Sequence, residues 1–117
     1  MNDDENTLIA SRRYYIAPEG QGDQVVVSIA KPFRDEGGYF RCGYVFSGST
    51  KIERYASGVD ELHAILMALA MAGTDLEQLN VDKYGSKLVW EAGPAKSSLP
   101  TIRDHWPFRQ GENNSEF

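Results

Sequence analysis

The chain alternates apolar and polar positions through most of its first half. "YFRCGYVFSG" does so most cleanly: Phe40, Cys42, Tyr44 and Phe46 share one face and Arg41 lies on the other. "TLIASRRYYIA" before it is rich in β-branched and aromatic residues, and "APEGQGDQ" after that run is turn material. "VVVSIA" is a second strand, stopped by Pro32, which has no N–H to give to a ladder. "RDEGG" and "SGST" are short polar turns, and "KIERYA" is a fourth, shorter strand. Strands joined by short turns favour an antiparallel meander.

At Ser57 the period changes. "SGVDELHAILMALAMAGTDLEQL" predicts one long helix, with Ser57 as N-cap and Asp60 three residues on as the acid of a capping box. Asn80 or Gly85 marks its end. "KLVWEA" is a fifth strand, expected to pair antiparallel with the first rather than parallel with the fourth. The expected fold is α+β: an antiparallel β-meander of about four to five strands with one long helix packed on one face. Residues 1–93 form this single domain. Residues 94–117 contain Pro94, Pro100 and Pro107 and read as an irregular tail with a disordered end.

The helix is apolar almost all the way round. At 100° per residue Leu62, Ile65, Leu66, Leu69, Gly73 and Leu76 make one stripe, expected to lie on the sheet. Gly73 either lets the helix approach the sheet closely or marks a kink. Ala64, Met67, Ala68 and Met71 then face outward. Three covers fit that outer face: a second copy in a two-fold dimer, the C-terminal tail through Leu99, Ile102, Trp106 and Phe108, or solvent alone. The homodimer is the leading expectation, with Ala64, Met67, Ala68 and Met71 as its interface.

"ASRRY" near the start, "GVDELHAILMAL" opening the helix, "LVW" after it and a closing "LP" resemble a small family of bacterial domains of unknown function. The resemblance spans roughly Ile9 to Pro100, and Gly58, Asp60, Leu62, Ala64 and Leu69 fall in its expected places. "SSLP" departs from the glycine expected before "LP". The resemblance implies a domain of this kind and no site residues.

Charge narrows the partners. The net charge of −5 opposes binding to phosphate backbones, so nucleic acid is not expected. The single cysteine, Cys42, rules out an intramolecular disulfide. "MNDDENT" lacks the basic start and apolar run of a secretory signal, and no apolar stretch reaches bilayer length. The expected setting is the cytoplasm, with no membrane contact.

Chemistry is thin. His63 and His105 have no neighbour at metal-ligand spacing, so neither a metal nor another cofactor is expected. Cys42 alternates with aromatics and reads as a buried small hydrophobe. The glycines of "PEGQGD" and "DEGG" precede no helix bearing a phosphate-loop lysine. Within "RRYY", one of Arg12 and Arg13 must point to the core side of its strand. Arg12, Arg13 and Tyr14 are therefore the candidate ligand-binding residues, for an anion or an aromatic group, although structural pairing explains the arginines more simply. The leading functional expectation is a non-enzymatic interaction module that binds another protein or itself. The alternative is a small-molecule or anion binder, or an enzyme, with a cleft lined by Arg12 or Arg13, Tyr14, Tyr44 and Tyr55.

Overall fold

A computed structural model describes residues 7–16 and 22–102. The strands are β1 (Leu8–Ile16), β2 (Gln24–Ala30), β3 (Phe33–Arg34), β4 (Phe40–Gly48), β5 (Ile52–Gly58), β6 (Leu88–Trp90) and β7 (Gly93–Pro94). One helix, α1 (Glu61–Asp82), lies between β5 and β6. All seven strands join one antiparallel sheet, so the expected α+β architecture is correct and the strand count is higher than expected. The two additions, β3 and β7, are two residues each, too short to show an alternation.

Pairing fixes the order. Arg41 of β4 is opposite Phe33 of β3 and also opposite Ser57 of β5. A strand has two edges, so β3 shares the β2 edge of β4 and continues the line of β2 beyond Pro32. The sheet then runs β5, β4, β2 with β3, β1, β6, β7. As expected, the strand after the helix returns antiparallel to the first: Ile16 faces Leu88 and Tyr15 faces Val89.

Register places Arg12, Tyr14, Val25, Val27, Ile29, Cys42, Tyr44, Phe46 and Leu88 on one face. This is the face under the helix, which packs over β5, β4 and β2. Tyr14, Val25, Cys42 and Tyr44 are fully buried there.

The helix begins three residues later than expected. Ser57 lies in β5, and Asp60 is the N-cap. Asp60 Oδ1 accepts from the His63 N–H at 2.7 Å, and His63 Nδ1 accepts from the Val59 N–H at 3.0 Å. Histidine thus stands at the position usually held by glutamate or glutamine in a capping box but reaches one residue further back, to the Val59 N–H rather than that of Asp60. At the other end the helix continues through Asn80 to Asp82. Buried Asn80 instead ties α1 to β6, its Oδ1 accepting from the Leu88 N–H at 3.0 Å. Gly85 lies in the turn that follows, at φ +61°.

The helix is also rolled about its axis relative to the expected stripe. Ala64, Ala68 and Ala72 are completely buried, whereas Leu62 is 66% and Leu66 41% exposed. Ala64 and Ala68 belong to the sheet-facing core, with Met67 and Met71 half-buried against it. The four residues expected to form an outward dimer interface therefore lie in or beside the core. The reason is size. The sheet presents the rings of Tyr14, Tyr44 and Phe46, and the small Ala64, Ala68 and Ala72 let the helix settle over them, with Leu76 buried one turn further on. Gly58 shows how close the approach is: a Cβ there would run into the backbone of Ala64.

Every fourth residue from Ala64 to Asn80 is buried. Four residues overshoot a helical turn by about 40°. The buried line therefore winds around α1, from the sheet centre towards β6.

The chain past Gly93 packs against the helix as far as Ile102. Ala95 and Thr101 are buried, at 2% and 3% exposure. The segment crosses the outer side of α1. The Ser97 N–H donates to Glu77 Oε2 at 3.3 Å and the Ile102 N–H to Thr74 Oγ1 at 3.2 Å. Gly73 is packed against the Pro100 carbonyl, so its missing side chain admits this segment, not the sheet, and needs no kink. Trp106 and Phe108 lie outside the described residues.

Candidate functional site

Arg12, Arg13 and Tyr14 are adjacent in sequence, and the strand separates Arg13 from the other two. The two-residue period of β1 puts Arg12 and Tyr14 on the helix face and Arg13 on the opposite one. Arg12 lies flat against Trp90, its guanidinium carbon 3.7 Å from the ring centroid. Its Nη1 donates to the Ser98 carbonyl at 2.7 Å. The Tyr14 hydroxyl shares a 2.8 Å hydrogen bond with Ser98 Oγ. Residues from β1 and β6 thereby clamp the C-terminal segment as it leaves the sheet.

Beside Arg12 the helix face of β1 is left partly bare, because α1 sits over β5, β4 and β2. A groove of about 120 Å³ results, lined by Ala10, Arg12, Val27, Ile29, Leu69 and Leu99. Its walls are aliphatic apart from Arg12 and Ser11. Along the same side of the helix, one and two turns before Leu69, stand the exposed Leu66 and Leu62. Leu62, Leu66 and the groove thus follow one another along that side of the helix.

Two further clusters are structural. The Tyr44 hydroxyl donates to Asp75 Oδ2 at 2.6 Å, and Arg54 Nη1 reaches both carboxylate oxygens of Asp75 at 3.0 and 2.9 Å. This joins β4, β5 and α1. Burial, then the hydrogen bond to Asp75 and its negative charge, push the Tyr44 hydroxyl well above the ordinary phenol range, against the opposing pull of Arg54. On the far face Arg41 lies over the Tyr55 ring at 4.9 Å, and Tyr55 meets Phe33 edge-on at 6.0 Å. Tyr44 and Tyr55 thus belong to opposite faces and do not line one cleft with Arg12.

Cys42 is fully buried, and its Sγ donates to the Ala30 carbonyl at 3.2 Å. Burial pushes the thiol from 9.0 up to about 11. That lowers the thiolate population about a hundredfold at a given neutral pH, the opposite of an activated nucleophile. His63 serves the helix cap. Among the described residues no three His, Cys, Asp or Glu side chains gather at metal-binding distance. No described helix is long and apolar enough to cross a membrane.

A depression of about 540 Å³ runs along the last turns of α1 between Thr74, Gln78, Val81 and Ile102. Glu77 and Thr101 complete its lining, and Glu77 Oε2 and Thr74 Oγ1 accept from the Ser97 and Ile102 N–H groups. Sequence reasoning found Arg12 and Tyr14 but missed their partners. Ser98 is 84 residues from Tyr14, and nothing in the pattern of either segment signals the contact.

No curated protein and no solved structure matches the chain. A family model matches residues 10–101, from within β1 to the end of the segment that crosses α1. The chain belongs to the family described as a domain of unknown function, DUF6968.

Proposed function

We propose that this domain is a non-enzymatic protein-interaction module of the cytoplasm, and that it binds through the strip formed by Leu62, Leu66 and the groove between Leu69, Leu99 and β1. One observation carries the reading. Two leucines, Leu62 and Leu66, stand exposed in the first turns of a helix that buries Ala64, Ala68 and Ala72 instead. Fully burying a leucine side chain is worth about 1.5–3 kcal/mol, so leaving two in water beside an apolar groove favours a partner that covers them. Arg13 lies on the opposite face from Arg12 and Tyr14, and those two engage their polar groups with Ser98, which disfavours a site built on convergent polar groups.

The test is site-specific photo-crosslinking in the cells that make the protein. A photoreactive residue at position 62 or 66 is expected to give adducts of discrete mass. The same residue at Glu53, on the far sheet face, is expected to give none. An absence of discrete adducts at both helix positions, with the protein folded and abundant, overturns the reading.

A further inference from the structure

Resting on that reading, we propose that the partner on this strip is a second copy of the chain, held in a two-fold dimer by Leu66 of each copy in the groove of the other. A two-fold contact requires a patch that complements itself. This strip does so in shape. Leu66 is a projecting side chain and lies three residues from Leu69, a wall of the groove, or about 4.5 Å along the helix axis. Rotation about an axis between them exchanges knob and hole. The groove, about 120 Å³, has room for one inserted aliphatic side chain.

Charge follows the same exchange. Glu61, exposed in the first turn, lies at the knob end of the strip, and Arg12 lies at the groove end. Reversing the direction of one copy against the other brings Glu61 of each towards Arg12 of its mate. Leu62, next to Glu61, then lies over Leu99. The alanine face originally expected at a dimer contact has no part in this, since Ala64 and Ala68 are buried against the sheet.

Mixed single-cysteine variants test the geometry. Leu66→Cys protein is combined with Ala10→Cys protein under mild oxidation. Buried Cys42 stays silent, and a Cys42→Ala background verifies this. The expected product is the mixed Leu66→Cys/Ala10→Cys disulfide, formed at least fivefold faster than either like-with-like disulfide. Sedimentation of wild type is expected to show a concentration-dependent dimer, and Leu66→Asp a folded monomer whose melting curve, unlike that of wild type, does not shift with concentration. Equal rates for all three disulfides, or a wild type that stays monomeric at several hundred micromolar, overturns the dimer. A monomeric wild type that still gives adducts of another mass at positions 62 and 66 overturns the dimer alone. Loss of every adduct overturns the interaction reading as well.

Discussion

Gly73 and Pro100 meet backbone to backbone: the Pro100 carbonyl oxygen occupies the space that a Cβ on Gly73 would need. In an isolated helix, Gly73→Ala would gain about 1 kcal/mol. Here the methyl must displace the segment that covers α1. Overpacking of this kind costs about 1–3 kcal/mol, and the obstacle is backbone, which cannot rotate aside. Gly73→Ala is expected to lower stability in urea and to speed proteolysis between Ala95 and Ile102. A stabilised Gly73→Ala protein would show that the contact is not made in solution.

Asp75 joins two groups of unequal exposure. Tyr44 is fully buried, whereas the Arg54 side chain is 52% exposed. Asp75→Ala strands the Tyr44 hydroxyl and is expected to cost about 1–3 kcal/mol. Arg54→Ala removes a solvated ion pair and is expected to cost less than about 1 kcal/mol. Chemical denaturation of the two variants measures the order, and equal losses would contradict it.

The reciprocal cap of Asp60 and His63 sets the start of α1. Asp60→Ala is expected to destabilise by about 1 kcal/mol, the usual cost of losing an N-cap. His63→Gln keeps an acceptor that can turn back to the preceding N–H and is expected to be milder than His63→Ala. Thermal melts of the three proteins, with helicity followed by circular dichroism, give the comparison.

Alkaline pH offers a separate check on the core. Cys42 and Tyr44 both bind their protons more tightly when folded than the ordinary thiol and phenol ranges imply. A group whose folded value is raised contributes its full stabilisation below its unfolded value and loses it as pH climbs towards the folded one. Stability is therefore expected to hold through neutrality and to fall above about pH 9, first as the unfolded thiol ionises and then the unfolded phenol. Cys42→Ala should remove the first part of that fall, seen as a smaller change in urea midpoint between pH 8 and pH 10. An identical decline in both proteins would mean that Cys42 is not held as described.

The strands were legible because their period leaves little choice. Once Phe40, Cys42, Tyr44 and Phe46 are assigned to one face, antiparallel pairing carries the assignment to Val25, Val27 and Ile29 and then to Tyr14 and Arg12. A one-residue slip would put the whole set in water. The conclusion that one of Arg12 and Arg13 faces the core followed from the same rule, and Arg12 is the one. The return of "KLVWEA" to the first strand was also readable, since a helix crossing the sheet delivers the chain to the far side of β1.

The roll of α1 could not be read in this way. Its middle is apolar on every side, so the helical period alone does not single out the face that meets the sheet. That choice rests on the rings of Tyr14, Tyr44 and Phe46 and on the bare backbone of Gly58, which leave room for Ala64 and Ala68 early in the helix and for Leu76 further on. Such complementarity links residues far apart in the chain and leaves no local pattern. The same holds for Ser98 beneath Arg12 and Pro100 against Gly73. By itself the sequence determined which elements form and which strand faces are apolar, because those follow from short-range periodicity. Tertiary structure decided which side of the helix was buried and which leucines were left exposed, because volume and close approach are settled only when the elements meet.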